Sequence, residues 1–474
     1  MSPALIKLQR LANVACLAFT SAWVVLRFVG LTRSPPGFAL DEALGALHLQ
    51  CLAETGHTAL GNAWPLFEKG FNGGFYTPTF LYSGLAWVEL FGSSITSMRA
   101  LAAAYSSVTV LGLWLLTRQL LDRRAADLTA LAAALSPWAF QFSRIAWDPP
   151  LAPAFLVWGV YAYFRESLAA RIASGVLLAL AMYSYPPLRA QVPLVLISLL
   201  VCARGRRRSA LALCASFVLT SLPLIITSAN PAFTSRTARL SIVNRSYIDA
   251  ERGDHSPLVF VFVRLLQNFG EHLRPSFLFT SGDATIRHSS QLIGELGFLD
   301  DAAILFGVWL LLARPRTLEH EPTAYPPARV ALGAALVALC GVLPAALTND
   351  GLPHALRAIG AWPALSLLTG VTLSAAWQRS RIAPWIIVTL ATAQTFYFVP
   401  RYFTDYPERA AEVFRADLQR AAASHDPAQL MAAGLHSDVY QLRYYLIEAF
   451  GGRCDESATV AAQIRDGGYD VAHR

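Results

Sequence analysis

Apolar runs recur along the whole chain, and several approach the ~20 residues that an α-helix needs to cross the hydrocarbon core of a bilayer. Only 15% of the 474 residues are charged and 55% are hydrophobic, whereas soluble domains carry about 25% charged residues. The runs therefore read as membrane spans rather than as buried helices of a soluble core. The expected fold is an all-α integral membrane protein: a polytopic helical bundle of about eleven transmembrane helices. The spans are placed at 11–31, 98–116, 128–142, 151–164, 172–182, 192–203, 210–227, 299–313, 330–347, 359–377 and 382–399.

Charge sets the orientation. Sixteen basic residues fall in the alternate gaps assigned to the inside: Lys7, Arg10, Arg118, Arg123, Arg124, Arg165, Arg171, Arg204, Arg206, Arg207, Arg208, Arg314, Arg316, Arg329, Arg379 and Arg381. The short outer loops carry three, Arg144, Arg189 and Arg357. The positive-inside rule then puts the N-terminus in the cytoplasm. It also accounts for the net charge of +7 without nucleic acid, which is excluded as a partner. Lys7 and Arg10 precede a first span with no small-x-small cleavage pattern, so an uncleaved signal anchor is expected.

This path gives one module, 1–399, with a first outer loop at 32–97 and a large polar outer loop at 228–300, followed by an outer tail of helical pattern at 400–474. Within the first loop, 41–54 has a helical pattern and 56–76 is rich in turn residues. The apolar piece 78–91 holds Glu89, and counting it as a span would invert the charge bias of everything after it. It reads as a helix lying on the outer interface. No internal repeat stands out. Pro137, Pro193, Pro223, Pro344 and Pro363 interrupt or flank spans singly and suggest local kinks satisfied by neighbouring groups. Cys16, Cys202, Cys214 and Cys340 lie in apolar runs as small hydrophobes. Cys51 and Cys454 fall on the outer side, where a bridge between them is possible, and no cysteine has metal-type spacing.

The outer loops also gather polar groups: Asp41 and Glu42; Arg144 and Asp148; Tyr183, Tyr185 and Arg189; Asp283, Arg287 and His288; His354 and Arg357. Each has a plain alternative. Asp41-Glu42 suits a helix N-terminus, and Asp148 before Pro149-Pro150 could cap the next span. Arg189, His354 and Arg357 could anchor at the interface. His48, His57, His255 and His272 lack ligand spacing and read as loop residues. As a set, the groups suit transfer of a sugar from a lipid phosphate. A carboxylate can take the acceptor proton. Arg, His⁺ or a metal can meet the charge growing on the leaving phosphate.

The runs Gly37-Phe38-Ala39-Leu40-Asp41-Glu42-Ala43 and Trp64-Pro65-Leu66-Phe67, with Glu54-Thr55-Gly56 and Gly61-Asn62, resemble the first outer loop of a known group. This is the GT-C class of glycosyltransferases, in particular bacterial relatives of the protein O-mannosyltransferases and the lipid A aminoarabinose transferases. The resemblance continues at Phe91-Gly92, Arg99, Ser136-Pro137-Trp138, 142–148, Tyr183-Ser184-Tyr185, Arg189, Phe277-Leu278-Phe279, Gly282-Asp283, Arg287-His288 and 353–358. It implies a GT-C bundle with periplasmic interfacial helices over a lipid-facing cavity. It also implies inverting transfer from a polyprenyl-phosphate sugar on the outer side of a bacterial cytoplasmic membrane.

The implied base is Asp41, with Glu42 beside it and Asp148 as a second acid, and Asp41 and Asp148 are candidate ligands of a divalent metal. The implied substrate-binding set is Arg144, Tyr183, Tyr185, Arg189, Asp283, Arg287, His288, His354 and Arg357, with Arg189, His354 and Arg357 on the donor phosphate. The partners implied are the bilayer, the polyprenyl-phosphate donor and a glycan, lipid or protein acceptor. A flippase for lipid-linked sugars would need polar groups throughout the spans, which are largely Ala, Leu and Val. An inert assembly partner of the same family remains open on sequence alone.

Overall fold

The computed structural model describes residues 3–202, 207–313, 323–434, 438–451 and 453–454. The basic positions Arg204, Arg206, Arg314 and Arg316, and the tail beyond 454, lie outside the described residues. In chain order the helices are α1 (Pro3–Leu26), α2 (Leu40–Thr55), α3 (Pro78–Phe91), α4 (Ile95–Leu120), α5 (Arg123–Leu135), α6 (Pro137–Phe142) and α7 (Leu151–Tyr163). There follow α8 (Leu168–Ser184), α9 (Leu188–Cys202), α10 (Arg207–Ser228), α11 (Pro231–Arg239), α12 (Arg245–Glu251), α13 (Pro257–His272) and α14 (Phe298–Ala313). The last are α15 (Pro327–Ala346), α16 (Trp362–Arg379), α17 (Ala383–Ala410), α18 (Ala416–Ala423), α19 (Pro427–Gly434) and α20 (Val439–Phe450). One two-stranded antiparallel ribbon, β1 (Glu68–Lys69) and β2 (Phe75–Tyr76), lies between α2 and α3.

Every span read from the sequence overlaps a helix, the third α5 and α6 together, although the first runs five residues past the end of α1. The break there has a local cause. Pro137 has no N–H and disfavours the helical region for the residue before it, and Ser136 takes ψ 120°. Among the described residues, five stretches are long and apolar enough to cross a membrane: Gln9–Leu26, Ile95–Leu120, Arg208–Ser228, Pro327–Ala346 and Ile359–Arg379. Leu211, Leu219, Ile225 and Ile226 of α10 are exposed, as expected of side chains that face lipid rather than water.

The loop at 228–300, read as a large polar loop, carries α11, α12 and α13. The polar residues at their starts are caps. Asn230, Asn244 and Ser256 each accept a backbone N–H of the following helix, and proline fills the first position of α11 and α13.

The chain divides into two compact units. One comprises residues 1–26, 105–142 and 149–400. Small residues set its helix spacing: a Cβ at Gly175 would overlap the Leu213 carbonyl of α10, and one at Gly370 would overlap the Thr129 backbone of α5. Tyr183 of α8 enters the hydrogen-bond ladder of α10, donating to Thr220 O and accepting from Leu224 N, both at 3.0 Å. Pro223 sits at the same turn, and the ladder groups there are satisfied by a neighbouring helix.

The other unit comprises 27–104, 143–148 and 401–474. It joins the first loop to the chain after α17. Phe38 packs on Tyr444 with ring centroids 4.8 Å apart, Gln441 Nε2 donates to Phe38 O at 3.1 Å, and a disulfide links Cys51 of α2 to Cys454. Gly37 has φ +69°, and a Cβ there would overlap the Phe414 carbonyl oxygen. This close approach of backbone to backbone needs glycine.

Candidate active site

The start of α2 separates its two adjacent acids. Glu42, at the third helical position, turns back to accept the Ala39 N–H at 3.0 Å, the carboxylate half of a capping box. Its two oxygens also take Arg99 Nε and Nη2, both at 2.9 Å, and the Ala146 N–H at 2.8 Å. Arg99 spends its remaining donors on the carbonyls of Leu31, Pro35 and Gly37 at 2.6–2.9 Å. Both side chains are fully buried. A buried ion pair of this kind holds only when further hydrogen bonds satisfy it, as they do here.

Arg144 is likewise fully buried. Its guanidinium donates to the carbonyls of Arg27, Val29, Gly30 and Ser34 at 2.7–3.1 Å, and it lies 5.6 and 5.1 Å from the ring centroids of Tyr402 and Phe403. The structure therefore departs from the sequence reading at Glu42 and Arg144, which are committed to the protein's own groups rather than held out toward a substrate. It also explains why α1 stops at Leu26 and not at residue 31. The carbonyls beyond Leu26 turn to the guanidinium groups of Arg144 and Arg99 instead of continuing the helix.

Asp41 and Asp148 are both partly exposed. Tyr76 donates its hydroxyl to the Asp41 carbonyl at 2.6 Å. Burial, then the charges of Asp41 and Asp148, hold the Tyr76 phenol well above its usual range. Ala146, two residues before Asp148, is the residue whose N–H is fixed by Glu42. The buried glutamate thus ties the Asp148 segment to the helix that carries Asp41.

In the other unit, Asp283, His288 and His354 converge. One ligand atom from each lies within 4.8 Å of the others, and all three residues are buried. Asp283 follows a left-handed Gly282 after the π-helical turn Ser276–Thr280. It accepts the N–H groups of Thr285 at 2.7 Å and Ala355 at 2.8 Å, while its own N–H donates to Glu295 Oε1 at 3.0 Å. His288 Nδ1 lies 3.2 Å and His354 Nδ1 3.9 Å from Asp283 Oδ2, and the two imidazoles stack 4.7 Å apart. The His354 backbone N–H donates to His272 Nε2 at 3.1 Å, with His272 Nδ1 on Asn268 O at 2.8 Å.

Burial, together with Arg357 and the neighbouring histidines, holds His354 well below the usual imidazole range, which keeps it neutral. Burial pushes Glu295 well above the carboxylate range. One carboxylate oxygen and two imidazole nitrogens are a donor set that suits a divalent transition metal or zinc, with a position left over. The cluster can hold such an ion.

The other residues singled out in the sequence are distributed within this same unit. Tyr183 is the α10 partner described above, and Tyr185 caps α8. Arg189 stacks over Phe233 at 5.1 Å. Arg357 donates to Thr348 Oγ1 at 2.9 Å and Asp350 O at 2.6 Å. The Arg287 carbonyl accepts from Gln141 Nε2 at 3.1 Å. Of the histidines read as loop residues, His48 is buried in α2 and His272 is buried at the end of α13. Sequence reasoning missed Tyr76, His272 and Glu295 as parts of these clusters. It did not pair Arg99 with Glu42, although a lone Arg at a span end calls for a carboxylate.

These helices form an all-α fold that other solved structures share. Residues 77–231 match the family model "Dolichyl-phosphate-mannose-protein mannosyltransferase". The structure is similar to that of ArnT from Cupriavidus metallidurans bound to undecaprenyl phosphate: TM-score 0.51, 18% identity, covering 95% of this chain and 75% of that one. Apo ArnT from the same organism gives TM-score 0.49 at 17% identity with the same coverage. The Archaeoglobus fulgidus oligosaccharyltransferase in complex with Zn and sulfate gives 0.46 at 13% identity, covering 88% of this chain and 57% of that one. No curated protein matches the sequence.

Proposed function

We propose that this chain is a membrane glycosyltransferase. It takes a sugar from a polyprenyl-phosphate donor and gives it to an acceptor hydroxyl on the outer side of a bacterial cytoplasmic membrane. The observation that carries this reading is the division of labour at the start of α2. Glu42 is consumed by Arg99 and two backbone N–H groups, which leaves Asp41 as the partly exposed carboxylate of the pair. The shared fold with an undecaprenyl-phosphate-bound relative and the mannosyltransferase match over 77–231 support it.

In the proposed step, the acceptor oxygen attacks the anomeric carbon as its proton passes to the Asp41 carboxylate. The bond from that carbon to the phosphate oxygen breaks, and polyprenyl phosphate leaves with the electron pair. A single displacement inverts the anomeric configuration. Asp148 is assigned to the acceptor, and Arg189, His354 and Arg357 to the donor phosphate. Asp283, His288 and His354 are the residues proposed to hold a divalent ion, which when bound would add positive charge to meet a phosphate oxygen. Asp41 and Asp148 are a second carboxylate pair open to a cation. The accompanying topology is eleven crossings, N-terminus inside, with 1–399 as the membrane module and the 400–474 tail outside.

The test is release of polyprenyl phosphate from a panel of synthetic polyprenyl-phosphate sugars. It uses the full chain in nanodiscs with membrane extract as the acceptor source. Turnover that is lost in a well-folded Asp41→Asn variant is the expected result, and chelator addition reads the metal. If no donor turns over and Asp41→Asn complements a deletion strain, the transferase reading fails and the flippase or assembly-partner readings replace it.

A further inference from the structure

The unit comprising 1–26, 105–142 and 149–400 contains a cleft of about 1000 Å³ that none of the residues discussed above for transfer enters. Its walls are apolar and come from α4, α7, α9, α15 and α16, through side chains such as Leu116, Val157, Leu199, Val337 and Leu367. That volume lies at the upper end for pockets that take a whole small ligand, and an apolar lining with a few placed polar groups is their usual character.

The polar lining is concentrated at one end. Glu166 comes from the α7–α8 turn, Arg171 from the first turn of α8, Ser209 from the start of α10, Tyr325 from the residues just before α15 and Arg329 from its first turn. Two cations stand against one carboxylate, and Glu166 is exposed. Arg171 is held in place, its guanidinium carbon 4.1 Å from the Tyr163 ring centroid, while the Tyr163 hydroxyl donates to Leu199 O at 2.6 Å. Arg171 Nε is buried without a hydrogen-bond partner among the described residues. A buried donor of this kind calls for an acceptor. The end is also remote from the opposite end of α8, where the sequence placed candidate substrate-binding residues. Arg171 lies in the first turn of α8 and Tyr183 in its last, about 18 Å apart along the axis at 1.5 Å per residue.

An apolar slot between membrane helices that ends in two arginines complements a lipid whose headgroup carries a phosphate. We propose that this cleft holds an anionic glycerophospholipid of the leaflet that faces the basic loops, its acyl chain between α7, α9, α15 and α16 and its phosphate against Arg171 and Arg329.

Native mass spectrometry of the full-length protein, exchanged into detergent with dioleoyl-phosphatidylglycerol or dioleoyl-phosphatidylcholine, tests this. The expected result is about tenfold or greater retention of phosphatidylglycerol, falling to the phosphatidylcholine level in Arg171→Gln/Arg329→Gln. Gly333 lines the cleft, and a Cβ there meets nothing within 4 Å, so Gly333→Trp can be placed without displacing backbone. It is expected to lower retention with both arginines intact. A photo-crosslinking side chain at the same position, in an otherwise unaltered chain, is expected to capture the acyl chain of phosphatidylglycerol. Equal retention of the two lipids, retention unchanged by both variants, or displacement of phosphatidylglycerol by undecaprenyl phosphate at equal concentration would each overturn the proposal. The last outcome would assign the cleft to the donor's tail.

Discussion

At the scale of single residues, the informative contrast is between two neighbours of the same chemistry. Asp41 and Glu42 are alike as acids, and read as residues alone the dipeptide was legible only as a polar start to an outer helix; it was the family resemblance that implied Asp41 as the base. The partner decides between them. Arg99 lies 57 positions away, and nothing in the spacing announces that its guanidinium meets Glu42 rather than Asp41. The consequence for mutation is sharp. Removing one member of a buried, hydrogen-bonded pair leaves the other charge uncompensated and costs about 3–5 kcal/mol. Glu42→Gln and Arg99→Gln should therefore lower the melting temperature and the monodisperse yield in thermal size-exclusion assays. Asp41→Asn, at a partly exposed position, should stay within about 0.5 kcal/mol of the parent while losing turnover. A Glu42→Gln variant that is as stable as the parent would show that the pair is not structural. The metal-type cluster was legible only in pieces for the same reason, since Asp283 and His354 are brought together by the hydrogen bond from Ala355 N to Asp283 and by His272 beneath His354. Full-length protein titrated with cobalt(II) should show the visible spectrum of a bound ion. His354→Ala and Asp283→Ala should weaken binding at least tenfold, whereas Asp41→Asn should leave it unchanged if the ion sits at this cluster.

At the scale of elements, long apolar runs were readable and short helices were not. The spans carry their signal in every residue, so α4 or α16 survives an error of several positions at either end. In α11, α12 and α13 the signal lies in the caps. Asn230-Pro231, Asn244 and Ser256-Pro257 were start signals available in the sequence, masked by the overall polarity of the loop. The end of α1 was misjudged for a different reason, because hydropathy cannot register that Arg144 collects the carbonyls of residues 27–34. The tail after α17 resembled nothing by sequence, and beside its side-chain contacts and its disulfide to the first loop it makes one close backbone contact. Gly37 must hold φ +69° against the Phe414 carbonyl while its N–H donates to Gln419 Oε1 at 2.6 Å. Gly37→Ala cannot meet both demands and should release α18 from the start of α2. Limited trypsin digestion should then cut at Arg420 several times faster than in the parent. The fragment should stay attached through Cys51–Cys454 until a reductant is added. An unchanged digestion rate would show that the close approach at Gly37 does not hold the tail.

At the scale of the molecule, the proposed chemistry depends on which side of the membrane the loops face, and that inference rests on charge. Sixteen basic residues in the inner segments against three in the short outer loops is a bias that no single loop could supply. Orientation is also independent of every side-chain contact described above, so it can fail alone. Asp254, in the exposed turn between α12 and α13, belongs to the proposed outer side, and Arg123, at the exposed start of α5, to the inner side. In a chain with Cys16, Cys202, Cys214 and Cys340 replaced by Ala and the Cys51–Cys454 bridge kept, a single cysteine can be placed at either position. A membrane-impermeant maleimide should label Asp254→Cys in intact spheroplasts, and Arg123→Cys only after permeabilisation. The reverse pattern would put the Asp283 and His288 loop in the cytoplasm. Transfer from a donor presented at the outer face would then be excluded even if Asp41 proved essential, because essentiality reports on the chemistry and labelling reports on where it occurs.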